Sequence, residues 1–416
     1  MREWMAEDTR RRAFVIASGA VLLVSIVYAL IIRYTLFGDR AVTAIDDFGE
    51  ALAAGIAAAA CVWASRRARG KDRLGWALIG TSAGLWAAGE VVWAIDEVVL
   101  GVQPYPSIAD AGFLAAVPFA IAGIRCFWGA ARGTSAQWRV WFDGVIVGLA
   151  LFSTAWGFGL REVWNSDSST KLFDLAYPLS DVLIGTVLIL AIRRATEQHK
   201  ARMAFLLVGV ALYSVADSAF AYLNAQNAFG SVGNVIDTGW FAGYLLVALA
   251  AVYPDAARKP VAKQAPLDLW QLALPWMTLL TASAGDLYSA LSGHELDVLQ
   301  TSVTGILALL LTVNMIIERR EFLDMLIELD ESHTKLSQEF KTALVAIESF
   351  SAHIRDAERL DVEDVRHTAA EIHADAARLD AMLVDLLEPD DGKDSKGIVA
   401  GGVKASAGAA VAARSS

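Results

Sequence analysis

The sequence predicts an all-α membrane protein, in which a bundle of about ten transmembrane helices is followed by a helical hairpin. Three observations favour this fold class. The chain of 416 residues is 56% hydrophobic and contains 13 Trp, which is too apolar for a soluble enzyme of this size. Apolar runs of about 20 residues recur along most of the chain. Nearer the C-terminus, apolar residues recur at alternating steps of four and three, as in a coiled coil.

Residues 1–12 are predicted to form a polar leader, and apolar runs long enough to span a membrane follow it. The first run is longer than the core of a signal peptide and no Ala-x-Ala site follows it, so it is interpreted as a retained span. The predicted spans cover residues 13–37, 44–65, 74–98, 107–127, 141–160, 174–193, 203–223, 234–253, 270–290 and 298–317.

The distribution of Lys and Arg predicts the orientation of these spans. Alternate connections are basic, beginning at Arg66, Arg132, Arg193 and Arg258, and the connections between them are nearly free of Lys and Arg. By the positive-inside rule the basic connections are cytoplasmic. Both termini are therefore predicted to lie in the cytoplasm, which requires an even number of spans.

An internal tandem repeat relates two parts of the predicted bundle, near residues 74–127 and 203–253. Equivalent residues stand at a constant offset of 127. The matches are Leu85 with Leu212, Trp86 with Tyr213, Glu90 with Asp217, Trp93 with Phe220, Asp110 with Asp237, and Gly112 with Gly239. The offset spans four apolar runs, an even number, so both halves have the same orientation, which disfavours an inverted-repeat transporter.

Acidic residues within apolar spans are costly unless paired or hydrated, and they mark candidate ligand or ion sites. They are Glu90, Asp110, Asp143, Asp181, Asp217, Asp237 and Asp286. Helix capping or hydrogen bonding between helices is the alternative for Asp110, Asp143, Asp181 and Asp237. The ligand-binding candidates are Glu90 and Asp217, which lie deeper in their runs, with Asp110, Asp237 and the aromatic residues Trp93 and Phe220. The aromatic residues fit a pocket lining or an interfacial belt.

Several other kinds of chemistry are not indicated. Cys61 and Cys126 lie in or beside apolar runs, so neither a disulfide framework nor a cysteine-ligated metal is predicted. There is no Gly-rich phosphate loop. The net charge of −11 comes largely from acids in the C-terminal region, which disfavours nucleic acid as a partner. We expect no metal and no cofactor, and contact with membrane lipid.

Residues 318–388 are predicted to form a cytoplasmic antiparallel helical hairpin. One apolar series runs from Phe322 to Ile354 and a second from Val365 to Leu386, with a turn at 356–361. Such a pair buries its remaining apolar face most readily against a copy of itself, so a homodimer through residues 322–386 is expected. Residues 389–416 are rich in Ala, Gly, Ser and Val and are predicted to be disordered.

The segment Ser337-Gln-Glu-Phe-Lys-Thr-Ala-Leu344, with Leu383-Val-Asp-Leu-Leu387 in the second series, resembles the dimerisation and phosphoacceptor domain of bacterial sensor histidine kinases. Gln338 stands where that family has its phosphorylated histidine, and a carboxamide nitrogen is not nucleophilic. Glu339 and Thr342 match family residues that assist proton removal and position water for dephosphorylation of a partner. Ala343 replaces the family's proline.

The segments Pro104 to Asp110 and Tyr177 to Asp181 resemble the multi-span input domains of bacterial signalling proteins. The two resemblances imply a multi-pass protein of the bacterial inner membrane. No room remains after Glu388 for the kinase family's ATP-binding domain, so this polypeptide alone is not expected to transfer phosphate from ATP.

The leading functional hypothesis is a two-component sensor with a degenerate kinase hairpin. It would act by dimerisation with itself or with a complete sensor kinase, or by docking a response regulator. Two alternatives stay open. One is a transporter of small molecules or ions that uses Glu90 and Asp217, and the other is a membrane scaffold.

Overall fold

The computed structural model of the protein describes residues 2–128, residues 134–254 apart from 196, 227 and 229–232, scattered residues between 276 and 291, residues 297–356, and most of 362–377. Within these residues all regular secondary structure is helical and no strand occurs. The predicted all-α class is therefore confirmed. The chain divides into two compact units, Met1–Asn314 and Met315–Ser416.

The main helices, numbered in chain order, are α1 (Arg2–Tyr34), α2 (Asp39–Arg67), α3 (Gly70–Ala94), α4 (Ile108–Arg125), α5 (Thr134–Ala155), α6 (Arg161–Asn165), α7 (Lys171–Arg194), α8 (Glu197–Ala225), α9 (Thr238–Val252) and α10 (Val298–Asp356). π-helical turns extend α3 through Ile95–Leu100 and α5 through Trp156–Leu160, and a 3-10 turn, Val235–Asp237, precedes α9. The α1–α2 connection turns at Gly38, whose φ of +81° favours glycine.

Nine helices in the described part of the chain, all those above except α6, are long and apolar enough to cross a membrane. They coincide with nine of the ten predicted spans and indicate a multi-pass membrane protein. The other predicted span, 270–290, lies largely outside the described residues. The first helix begins at Arg2, so the predicted polar leader is the start of α1.

The predicted offset of 127 reappears in the helix boundaries. α3 begins at Gly70 and α8 at Glu197, while α2 ends at Arg67 and α7 at Arg194. Likewise, α4 begins at Ile108 and the 3-10 turn before α9 begins 127 residues later. The repeated unit is therefore three helices long, α2–α4 and α7–α9, which is one helix more than the sequence comparison identified.

Equivalent glycines allow equivalent close contacts in the two halves. A Cβ atom added at Gly112 would lie 2.9 Å from the carbonyl oxygen of Leu85, and one added at Gly239 would lie 2.7 Å from that of Leu212. Both pairs are related by the offset of 127. Small residues at these positions let α4 approach α3, and α9 approach α8, closely enough for backbone contact.

The start of α10 is fixed to the first unit by Asp297. Its carboxylate accepts hydrogen bonds from the backbone N–H of Leu299 (2.8 Å) and from Trp156 Nε1 (2.9 Å), and pairs with Arg161 Nε at 3.3 Å. Burial raises the pKa of Asp297, but the hydrogen bonds and the guanidinium outweigh burial and hold its pKa below the usual range. An N-capping carboxylate with these partners stabilises the helix start.

The second unit contains the later part of α10 and further helical residues within 362–377. Along α10, Leu336 and Phe340 are half-buried and Ala343 is buried, at the spacing of the predicted seam. The predicted turn after Asp356 lies outside the described residues, as do Leu379 to Leu386 and the tail 389–416. The hairpin and its dimerisation therefore stay predictions.

Candidate functional site

The candidate site is a cavity of about 100 Å³ within the first unit, lined by residues from both halves of the repeat. All six residues predicted as ligand-binding candidates line this one cavity. They are Glu90, Trp93, Asp110, Asp217, Phe220 and Asp237. The tandem repeat explains the arrangement, because each half contributes an acid late in one helix and an acid at the start of the next.

Asp110 and Asp237 are positioned by the N-termini of their helices. The Ser107 hydroxyl accepts a hydrogen bond from the Ala109 N–H (3.1 Å), and the Asp110 carboxylate accepts one from the Ser107 N–H (2.5 Å). The second half has the same capping box, with Asn234 in place of Ser107. These acids therefore cap their helices and also line the cavity.

Glu90 and Asp217 are held by indole donors. Trp86 Nε1 donates to Glu90 Oε1 at 2.8 Å, and Trp240 Nε1 donates to Asp217 Oδ1 at 2.6 Å. Both carboxyl groups are buried. The donor comes from the same helix in the first half and from the following helix in the second, so the two halves orient equivalent acids by different contacts.

Aromatic side chains form the walls between these acids. The Trp86 ring lies 4.6 Å from that of Phe113, and the Phe220 ring contacts Tyr105 and Trp240 at centroid distances of 5.6 and 6.1 Å. These contacts place the aromatic residues around the cavity, as a pocket lining requires.

Three further acids, Asp46, Asp47 and Glu50 of α2, line the cavity, and so does Glu97 in the π-helical turn after α3. Sequence reasoning did not select them. Two signals were present, since the acids of α2 lie within the predicted span 44–65, and Asp47 stands 127 residues before the buried Asp174. No Lys, Arg or His occurs among the described residues that line the cavity.

The acids of α2 differ in the hydrogen bonds that they form. The Tyr28 hydroxyl donates to Asp46, and Asp46 also hydrogen bonds with Asp237. A hydrogen bond between two carboxyl groups requires that one of them carries a proton. By contrast, Asp47 Oδ2 and Glu50 Oε1 have no hydrogen-bond partner among the described residues.

Asp174, by contrast, is a buried acid whose carboxylate accepts several hydrogen bonds. It is fully buried and accepts hydrogen bonds from Tyr105 (2.8 Å), Asn224 (2.8 Å) and Thr170 (2.9 Å). Burial, with the hydrogen bond to Asp174, raises the pKa of Tyr105, which lies in the loop before α4. The phenol therefore stays protonated and keeps its role as donor.

The other acids selected from the sequence lie elsewhere. Asp143 pairs with Arg193 Nη1 at 3.3 Å. Asp181 hydrogen bonds with Asp217 but faces a separate, mostly apolar cavity of about 450 Å³. Asp286 lies outside the described residues. Among the described residues, no group of three or more His, Cys, Asp or Glu has an arrangement that can hold a metal ion.

The kinase-like motif residues lie on α10 in the second unit. Gln338 and Thr342 are exposed, Glu339 is half-buried, and the Thr342 hydroxyl donates to the backbone carbonyl of Gln338 at 2.9 Å. The exposed carboxamide at position 338 carries no nucleophilic nitrogen.

The chain matches no protein-family model, no curated protein and no solved structure at a significant level. The class of the protein is therefore defined by its fold and its cavity, as a multi-pass helical membrane protein with an acidic, aromatic-lined cavity in its first unit.

Proposed function

We propose that the protein is a membrane-embedded sensor whose cavity binds a small stimulus ligand and whose C-terminal helical region passes the signal to a partner. The observation that carries this proposal is the cavity itself. Pockets in which a few polar groups converge between aromatic walls are the usual form of small-molecule sites. Here all six candidate residues converge on one pocket, and two buried carboxyl oxygens in it have no partner among the described residues.

The output of the proposed sensor is protein association without phosphotransfer. Gln338 has no nucleophilic nitrogen, so Glu339, Thr342 and the surface around them would act in docking a response regulator or a complete sensor kinase. If the chain lies in a bacterial inner membrane with both termini in the cytoplasm, as predicted, its C-terminal region would meet such partners there.

The early part of the predicted seam favours a second copy of this chain as one partner. Phe322, Leu326 and Leu329 are 55%, 44% and 66% exposed. They are interspersed with acids such as Asp324 and Glu328, which favour water over lipid. An apolar stripe between charged residues is typical of a coiled-coil surface that another helix covers.

Cysteine crosslinking in lipid nanodiscs tests whether the cavity controls this association. In a background of Cys61→Ser and Cys126→Ser, we compare Phe340→Cys on the seam with Lys341→Cys beside it. Seam positions should crosslink between copies and the neighbouring position should not. Adding Glu90→Gln and Asp217→Asn to the cavity should change the yield at position 340 at least two-fold.

Asp96→Asn is the matched control, because Asp96 is beside Glu97 but does not line the cavity. Folded cavity variants that leave the crosslinking yield unchanged would refute the coupling. Acid-labile label on the purified protein after incubation with ATP would refute the non-catalytic output. If the cavity variants instead alter solute flux in vesicles with unchanged crosslinking, the transporter alternative is supported.

A further inference from the structure

The cavity holds hydrogen-bond acceptors that no described residue satisfies. Asp47 and Glu50 are 6% and 9% exposed, and each has one carboxyl oxygen without a partner among the described residues. Buried polar atoms are almost always paired, because an unpaired one loses its hydration without replacement. A carboxylate oxygen is an acceptor, so the missing group is a donor.

The charge of the cavity points to a donor that is also positive. Eight carboxyl groups line it, and no described lining residue is basic. Buried carboxylates require protons or a cation to offset their mutual repulsion and loss of hydration. One proton is shared between Asp46 and Asp237, which hydrogen bond to each other. Asp47 and Glu50 have no carboxyl partner of this kind among the described residues. Water alone would satisfy the hydrogen bonds but would not supply charge.

The walls of the cavity favour an organic cation over a metal ion. Trp93, Phe220 and Trp240 line it, and aromatic faces attract ammonium groups and the carbon atoms attached to them. The described acids, in contrast, do not form the group of three ligands that a metal ion requires.

The volume limits the size of the cation. About 100 Å³ is smaller than the cavity of roughly 150 Å³ that accommodates benzene in an engineered protein. The space fits an ammonium group with a few carbon atoms, so a longer molecule would have to extend out of the cavity.

We propose that the cavity binds a small protonated primary or secondary amine. Its N–H groups donate to Asp47 and Glu50, and its carbon atoms contact Trp93, Phe220 and Trp240. The assignment of this amine as the stimulus rests on the proposed sensor function. The same ammonium chemistry belongs to a free amine and to the headgroup of an aminolipid.

Calorimetric titration of the full chain in phosphatidylcholine nanodiscs tests the proposal, with ethylammonium chloride as the probe at constant ionic strength. We expect saturable binding that Glu50→Gln weakens about ten-fold or more, because a hydrogen bond to a charged acceptor is lost. Asp96→Asn, which removes the same charge outside the cavity, should leave the affinity unchanged. Tetramethylammonium, which has no N–H donor, should bind at least ten-fold more weakly.

Thermal unfolding of each variant without ligand establishes that it is folded. Absence of saturable binding to the folded protein, equal affinity for tetramethylammonium, or displacement of ethylammonium by equimolar K⁺ would overturn the proposal. Weaker ethylammonium binding in nanodiscs that contain phosphatidylethanolamine would assign the lipid headgroup as the source, and unchanged affinity would assign a free amine.

The failure of this proposal and that of the sensor function are distinguishable. If ethylammonium binds but the crosslinking yield at position 340 does not change, the sensor function is refuted and the amine site is supported. If the cavity variants change the crosslinking yield but no amine binds, the amine site is refuted and the sensor function is supported.

Discussion

The close approach of α3 and α4 at Gly112 predicts a specific packing defect in the variant Gly112→Ala. The added Cβ would lie 2.9 Å from the carbonyl oxygen of Leu85 and 3.3 Å from Cα of Gly89. Ordinary van der Waals contacts of a Cβ are 3.4–4 Å. Both neighbours are backbone atoms, so neither can move aside by changing a rotamer, and the helices themselves have to separate by about 0.5 Å.

Overpacking of this kind costs about 1–3 kcal/mol. The gain in helix propensity from Gly to Ala, about 0.5–1 kcal/mol, opposes it. Gly55→Ala in α2 separates the two effects, because a Cβ there would meet nothing within 4 Å. Relative to Gly55→Ala, we therefore expect Gly112→Ala to lower the free energy of unfolding by the full overpacking cost.

Thermal unfolding in detergent, followed with a thiol-reactive dye, measures this difference. Cys61 is fully buried and becomes reactive on unfolding, and Cys126→Ser removes the more accessible thiol. A midpoint lower by about 2–4 °C per kcal/mol is expected. Gly239→Ala should have a similar effect in the second half. If Gly112→Ala unfolds at the same temperature as Gly55→Ala, the close helix contact is refuted.

Two further predictions concern ion pairs. The low pKa of Asp297 means that its carboxylate stabilises the fold above its usual pKa of about 3.9, and this contribution disappears as the pH falls through the lower pKa of the folded state. The difference in unfolding midpoint between the wild type and Asp297→Asn should therefore shrink as the pH falls below about 3.9, and a difference that does not change with pH would contradict the assignment. Arg193→Met leaves Asp143 buried without its ion-pair partner, so we expect a loss of about 1–3 kcal/mol in unfolding free energy, partly recovered by adding Asp143→Asn. Simple additivity of the two changes in equilibrium unfolding would show that the pair is not coupled.

Most of the helical architecture could be predicted from the sequence, because a membrane span needs a continuous apolar run. The predicted span 203–223 lies within α8, Glu197–Ala225, and the other spans in the described residues agree similarly. Some helices, such as α8, are longer than their runs, since backbone hydrogen bonding continues into polar residues at the ends. For the same reason α1 begins at Arg2 although its first residues are polar.

Half of the cavity acids could be found from the sequence, because Glu90 and Asp217 interrupt apolar runs and recur at the repeat offset. Asp46, Asp47 and Glu50 stand at the start of their run, where acids ordinarily face water. In the structure α2 packs against both α3 and α9, which buries these acids. The offset from Asp47 to Asp174 marks this position in the sequence, but a linear pattern does not show which helices surround α2.

Comparison of the two copies of the repeat distinguishes positions that are the same in both from positions that differ. Positions that fix the packing are the same in both copies, as Gly112 and Gly239 are, and so are the capping acids Asp110 and Asp237. Other cavity positions differ in size and donor chemistry, from Glu90 to Asp217 and from Trp93 to Phe220. After duplication, a binding surface that both copies share is free to become asymmetric, and an asymmetric cavity can distinguish the two ends of a molecule that a symmetric one would bind in either direction.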